Sequence, residues 1–376
     1  MSAVEPEIEG GLPFRAAWWL PGGDLQTVWG RFARGRRRVP FRRERLETPD
    51  GDELVLDHVD LDHADGQNGA PRLLVLHGLE GSSYSVYVQG ILEAAARRGL
   101  RGTALNFRSC ARDPSDLDRM LPNRRPRLYH SGETEDLDFV VRTLAARDPE
   151  TPLLAAGISL GGNVLLKWLG EKSGPTAVAA AAALSTPYDL AASARHLENP
   201  RGRFYVGNFL STLRRKAIDT AGRFPEAAAR IDLPATLRAR TFYEFDDAAT
   251  APLHGFAGAE DYYRRSSSLS FLSRIATPTL CVSAEDDPFL VKKSLAEARD
   301  AASPAVEFRV TARGGHIGFV GGTRPWRPEY WAEELAVAWL ARHAGTRTKK
   351  EPGSGVSAPP ARESRKPAAA RGSEAQ

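Results

Sequence analysis

The feature that most narrows the fold is a rhythm. Between residues 41 and 344, short runs rich in Val, Leu, Ile and Ala alternate with longer stretches at helical spacing. Leu73–Leu76, Thr103–Phe107, Leu153–Ile158, Ala177–Ser185, Thr279–Ser283 and Val306–Val310 are too short for helices and largely apolar. Strands read that way when helices cover both faces of their sheet. Tyr84–Arg98, Glu133–Arg147, Leu160–Lys172 and Glu329–His343 supply helices, with Gly99 closing the first and Ser131 as N-cap of the second. Arg45–Thr48 and Leu54–Val59 flank the turn Pro49-Asp50-Gly51-Asp52, so a hairpin opens the sheet. The expectation is an α/β protein with a mostly parallel sheet and its chemistry at the carboxyl ends of the strands.

Residues 187–274 break the rhythm and are expected to form a helical lid inserted into the domain 41–344. Residues 1–40 form a separate aromatic and basic segment. The tail 345–376 is Pro, Ser, Gly, Ala and charge, and is expected to be disordered. The tail also carries the whole net charge of +4, so residues 1–344 balance at 44 basic against 44 acidic. A body without net charge gives no electrostatic reason to bind nucleic acid. Arg31–Arg45 is locally basic, with eight arginines. The reading is a solvated or carboxylate-paired face, with an anionic-membrane patch as the alternative.

Cys110 and Cys281 are the only cysteines and lack metal-ligand spacing, which points to a reduced, cytoplasmic protein. The stretch Met1–Gly11 is acidic and has no apolar core of a secretory signal. The longest apolar run, Ala177–Leu184, is too short to span a bilayer.

Gly157-Ile158-Ser159-Leu160-Gly161 matches the pattern G-x-S-x-G. Small residues two before and two after the serine let backbone pass close on a strained strand-to-helix turn, which leaves the hydroxyl standing above the sheet. The pattern is common by chance in a chain rich in Gly and Ser. An apolar strand before it and an apolar helix after it raise it to a candidate nucleophile, Ser159.

A serine needs a base, and the base an orienting acid. His316 lies in Arg313-Gly-Gly-His-Ile-Gly318, a loop between the last strand and the closing helix. His58, His63, His130, His196, His254 and His343 are poorer candidates by position. The acid is expected after Thr279–Ser283, in Ser283-Ala-Glu-Asp-Asp-Pro-Phe289. This run resembles the strand-G-x-x-D loop of α/β-hydrolases. Ala284 stands where that glycine usually is, which selects Asp287, with Asp286 as runner-up. The order Ser159, Asp287, His316 is that of the α/β-hydrolase fold. His77-Gly78-Leu79-Glu80-Gly81 ends an early strand, and the oxyanion would be held by the backbone N–H groups of Leu79 and Leu160. His77 reads as structural. No cofactor is called for, and no His/Asp/Glu cluster has metal-ligand spacing.

Several further segments make the chain resemble the YheT-like α/β-hydrolases, relatives of abhydrolase-domain lipases and fungal ethyl-ester synthases. These are Trp18-Trp19-Leu20 with Gln26-Thr27, Thr48–Asp52, His77–Ser83, Asn106-Phe107-Arg108, Tyr129–Gly132, Gly157–Asn163, Phe245-Asp246 through Thr250-Ala251-Pro252, Gly255-Phe256, Asp261-Tyr262-Tyr263, and Asp286–Phe289. They cover most of residues 14–320. The resemblance implies hydrolysis of a carboxylic ester, a small-molecule acyl ester of short or medium chain or an acylglycerol. Acyl transfer to an alcohol by the same triad is the alternative. A peripheral membrane lipase is another, motivated by the N-terminal tryptophans and the arginine cluster. Phe204, Tyr205, Phe209, Phe242, Tyr243 and Phe256 are candidates for an acyl pocket, or simply the insertion's own core.

Overall fold

The computed structural model describes residues 13–35, 39–60 and 69–345. The expected disordered tail and the acidic start lie outside the described residues, apart from Gly345. Among the described residues no helix is long and apolar enough to cross a membrane.

Helix α1 (Gly23–Phe32) precedes a hairpin of β1 (Arg42–Glu47) and β2 (Glu53–Val59). Then come β3 (Arg72–Leu76), α2 (Val86–Ala96), β4 (Arg101–Asn106), the short hairpin β5 (Arg112–Asp113) and β6 (Asp116–Met120), α3 (Glu135–Arg147), β7 (Leu153–Ile158), α4 (Leu160–Lys172) and β8 (Val178–Leu184). A helical insertion follows: α5 (Leu190–His196), α6 (Pro200–Arg223), α7 (Pro225–Ala228), α8 (Leu233–Arg238), α9 (Phe242–Phe245), α10 (Ala251–Leu253) and α11 (Ala259–Ser266). The chain returns through β9 (Thr279–Ala284), α12 (Lys292–Ala301), β10 (Val306–Thr311), the two-residue strands β11 (Val320–Gly321) and β12 (Glu329–Tyr330), and α13 (Trp331–His343).

Eight strands form the main sheet in the order β1-β2-β4-β3-β7-β8-β9-β10. The β1–β2 and β2–β4 pairs are antiparallel and the remaining pairs parallel. The two-residue period of a strand sorts side chains onto two cores. Leu74 and Leu76 of β3 face one core with Val140 of α3 and Val164 of α4. Leu73 and Val75 face the other with Ile91 of α2 and Leu340 of α13. All of these side chains are fully buried, and each such burial is worth roughly 1.5–3 kcal/mol. The continuous apolar runs of the sequence have this cause.

Two local expectations need correction. Ser131 does not cap α3; the N-cap residue is Thr134, whose side chain makes no capping bond, while the Glu133 carboxylate accepts the N–H of Glu135 and Asp136 at 3.2 and 3.4 Å. The closing helix begins at Trp331, because Glu329 and Tyr330 pair with Gly321 and Val320. Helix α12 carried no expectation at all: its mixed charge and alanine gave no strong apolar stripe.

Several motifs of the resemblance hold the fold together. Arg108 is buried and bonds the carboxylates of Asp136, Asp52 and Asp50, pinning the opening turn to α3. Three carboxylates around one guanidinium satisfy its fork of donors. Within the basic segment, Arg42, Arg43 and Arg45 pair with Asp60, Asp57 and Glu53, and Arg34 with Glu333. These arginines make a carboxylate-paired face.

Candidate active site

The parallel strands β3, β7, β9 and β10 deliver the candidate residues to the loops at their carboxyl ends, where the backbone leaves the sheet. Strand β7 turns into α4 at Ser159, which has φ of 53° and ψ of −119°. Positive φ is costly for a residue with a Cβ. Crowding enforces the turn: a Cβ on Gly157 would lie 2.4 Å from the Gly161 carbonyl oxygen. One on Gly161 would lie 2.6 Å from the carbonyl oxygens of Leu76 and His77. Both glycines of the motif are therefore required by close approach.

Ser159 Oγ lies 2.9 Å from His316 Nε2. On the other side of the ring, His316 Nδ1 lies 2.9 and 3.1 Å from the two oxygens of Asp287. A carboxylate only accepts, so Nδ1 carries the proton and donates, which leaves the Nε2 lone pair facing the serine hydroxyl. The Asp287 side chain is fully buried, and its Oδ1 also accepts the Phe289 N–H at 2.8 Å. The Phe289 ring stacks on the imidazole at 4.3 Å and covers the third side.

Asp286 does not reach the imidazole. Its Oδ1 accepts the Gly315 backbone N–H at 2.8 Å and so braces the loop that carries His316. Consecutive side chains of the acid loop thus point to different targets, one to the ring and one to the backbone beneath it.

His77 holds its loop. Its Nε2 accepts the Phe107 N–H at 3.1 Å, so Nδ1 is protonated and donates to the Gly78 carbonyl at 2.7 Å. Burial drives its pKa down to about 4, which keeps the ring neutral. Gly78 lies against the serine: a Cβ there would sit 3.2 Å from Ser159 Cβ. Leu79 follows it, and Leu160 opens α4. Neither backbone N–H of Leu79 or Leu160 bonds a protein group among the described residues. The first N–H groups of a helix lack intrahelical partners, which leaves Leu160 available.

Other histidines stand apart from the serine. His58 bonds Thr103 and Glu44, and His130 packs on His254 beneath the insertion. His63 lies outside the described residues. The acyl-pocket candidates separate. Tyr205 and Phe209 meet Phe289 at 4.9 and 6.3 Å, and Phe242 meets Phe209. Phe204 is 73% exposed, Tyr243 is at the surface, and Phe256 packs on His130. Among the described residues, no cluster of three or more His, Cys, Asp or Glu could hold a metal.

Two supports escaped the sequence reading. The His316 N–H donates to Thr27 Oγ1 at 2.8 Å. Fully buried Gln26 clamps Val320, accepting its N–H at 2.7 Å and donating to its carbonyl at 3.1 Å. Sequence singles out Gln26-Thr27 only as part of a resemblance; nothing local shows that they touch residues almost three hundred positions away.

A family model described as the alpha/beta hydrolase fold matches residues 71–323. The chain is 39% identical over 324 residues to "Putative esterase YheT" of Escherichia coli (strain K12), across 85% of this chain and 90% of that one. It is 29% identical to "Phospholipase ABHD3" of Homo sapiens, across 83% of this chain and 75% of that one. Among solved structures, the alpha/beta hydrolase GrgF from Penicillium sp. sh18 aligns with a TM-score of 0.52 and 15% identity, over 82% of this chain and 100% of that one. At that identity the likeness speaks for the fold.

Proposed function

The chain belongs to the α/β-hydrolase family, in its YheT-like branch, as a carboxylic ester hydrolase, and from that premise we propose that Ser159, His316 and Asp287 cleave the ester through an acyl-enzyme. The observation that carries this reading is the unbroken line of hydrogen bonds from Ser159 Oγ through the imidazole to Asp287. His316 Nε2 takes the hydroxyl proton as Ser159 Oγ attacks the carbonyl carbon. Negative charge gathers on the former carbonyl oxygen, where the N–H groups of Leu79 and Leu160 receive it. Each donor of this kind is worth roughly 10²–10³ in turnover. Collapse breaks the ester C–O bond while Nε2–H protonates the leaving alkoxide. Water then repeats the sequence on the acyl-enzyme. Buried Asp287 stabilises the imidazolium throughout and fixes its tautomer.

The human relative's name supports a phospholipid ester as one substrate class, and the aromatic row Phe289–Phe209–Phe242 supports an apolar acyl chain. In this reading the helical insertion is the lid over that chain. A fluorophosphonate probe should label Ser159 alone, and Ser159→Ala should abolish both labelling and hydrolysis across a chain-length series of p-nitrophenyl esters. Label at another serine, or an active alanine variant, overturns the assignment. Supplying ethanol to the same assay separates hydrolysis from acyl transfer.

Peripheral membrane contact is a second reading, carried by Trp18, Phe32, Phe204 and Trp326, each between 73% and 76% exposed. Aromatic side chains at such exposure suit a lipid headgroup region. Flotation with anionic and zwitterionic liposomes at two salt concentrations tests it; protein that stays at the bottom with both removes it.

A further inference from the structure

Glu80 follows Leu79 in the loop that ends β3, and its backbone is held at φ of 55°. Its side chain is buried, and Oε1 lies 2.6 Å from Lys216 Nζ. Lys216 belongs to α6, in the helical insertion, and its side chain is only 8% exposed. Tyr129 completes the arrangement: its hydroxyl donates to Glu80 Oε1 at 2.9 Å and accepts the Glu80 N–H at 2.7 Å. Glu80 Oε2 has no hydrogen-bond partner among the described residues. The carboxylate is held chiefly by Lys216 and Tyr129, with Thr212 of α6 beside it.

Such a pair is a poor device for stability. Two buried charges lose hydration, and well-packed apolar residues of the same volume often do as well. Burial opposes the charged form of Glu80, yet the attraction of Lys216 prevails and holds its pKa below the ordinary value. On its remaining sides Lys216 meets the Cys110 thiol at 3.2 Å, the Tyr129 ring at 4.9 Å and a mostly apolar cavity lined by Leu128, Leu213, Ile231, Phe245 and Leu253. Glu80 is its one carboxylate among the described residues. The pair is also the ionic link from α6 to the residue beside the Leu79 N–H.

We infer that Lys216 is a positioning residue: through Glu80 it fixes the loop that presents the Leu79 N–H, so the oxyanion site is complete only when the helical insertion is seated. This rests on the proposed role of Leu79. The physical reason is leverage. A peptide N–H stabilises a developing oxyanion only when its direction is fixed beforehand. Glu80 in a left-handed conformation reports a loop that holds its shape through outside contacts. An insertion that shifts to admit substrate would draw Nζ away and release the peptide between Gly78 and Leu79.

The test compares Lys216→Met with the neutral double variant Lys216→Met/Glu80→Gln. Lys216→Met should lower kcat about 10- to 100-fold, less than or equal to loss of one oxyanion donor, with KM within about threefold. Affinity for a trifluoromethyl ketone, which forms the tetrahedral adduct, should fall by the same factor as kcat. The double variant has no unpaired buried charge, so its Tm should return to the wild-type range while kcat stays low. Recovery of both Tm and kcat in the double variant would overturn the inference, because the pair would then serve only packing. A rise in KM at constant kcat would overturn it too, by placing Lys216 in substrate binding. If Lys216→Met alone does not fold, the kcat, KM and inhibitor affinity of the double variant separate the same outcomes. Fluorophosphonate labelling of Ser159 is run on every protein. An unlabelled wild type would instead show that the nucleophile assignment has failed.

Discussion

Thr27 Oγ1 accepts the backbone N–H of His316 at 2.8 Å, so a helix near the start of the chain holds the candidate base near its end. Next to it, a Cβ on Gly315 would lie 2.3 Å from the Gly23 carbonyl oxygen, and one on Gly318 would lie 2.4 Å from that of Gln26. The aromatic segment is thus a wall of the site, with Trp19 packed on Trp29 behind it.

Thr27→Val keeps the volume of the side chain and removes the acceptor. The His316 N–H is left without its partner in a largely buried setting, a cost of about 1–3 kcal/mol. Turnover should fall about tenfold as the imidazole loses its fixed position, with fluorophosphonate labelling slowed in proportion. Unchanged kinetics in a stably folded Thr27→Val protein would show that Asp286 and Asp287 position the loop unaided.

Asp287→Asn and Asp286→Ala should fail in opposite ways. The first replaces the acceptor of Nδ1–H with a group that can present a donor, favouring the wrong tautomer, and turnover should fall roughly 10⁴-fold with Tm little changed. The second removes the acceptor of the Gly315 N–H, at a cost on the order of 1–3 kcal/mol, while the ring retains its partner. Melting curves and kcat on both variants decide it. A dead but stable Asp286→Ala enzyme would move the acid role to Asp286.

Stability should decline on acidification through the imidazoles. Burial lowers His77 to about 4, His130 to about 3 and His254 well below the ordinary value. Their unfolded counterparts titrate near about 6.5. From about 6.5 downward the unfolded chain binds protons that the folded chain refuses, so unfolding free energy rises with pH in that window and is lost as pH falls. Asp246 has the opposite sign. Burial raises it to about 6, so between about 4 and 6 the folded state holds an extra proton and its contribution falls with pH. Burial lowers His58 and raises Asp136 as well, so four imidazoles against two carboxylates leave a net rise with pH. Urea midpoints at pH 5, 6 and 7 should increase in that order. His130→Gln should flatten the series and Asp246→Asn steepen it; a series that runs downward contradicts the account.

Two glycines give a steric control. Gly161→Ala forces a Cβ to within 2.6 Å of two backbone carbonyl oxygens that cannot move without tearing β3 from β7, so soluble protein or activity should be lost. Gly207 lies on α6 with nothing within 4 Å of its added Cβ. Gly207→Ala should therefore raise stability by about 0.5–1 kcal/mol through helix propensity alone. Thermal melts distinguish the two, and a destabilised Gly207→Ala would reveal a contact that α6 makes elsewhere.

The alternation of apolar runs with helical stretches was enough to read the α/β layering, since burial on both faces is a property each strand writes into its own residues. Gly157–Gly161 likewise announced the turn at Ser159, because the steric demand falls on its immediate neighbours. Loop chemistry nominated His316, and the resemblance to the α/β-hydrolase acid loop put Asp287 before Asp286. Only the tertiary structure showed that the Asp287 carboxylate meets the ring while Asp286 takes the Gly315 N–H, since the direction of a loop side chain depends on what packs against it. The same holds for Thr27 against His316, and for Lys216 against Glu80, 136 residues apart. A threonine in a helix and a lysine in a basic amphipathic stretch look like any others in sequence. Their partners are set by how the N-terminal segment and the insertion seat on the sheet, and that seating is decided by packing summed over many residues, with no local pattern to record it.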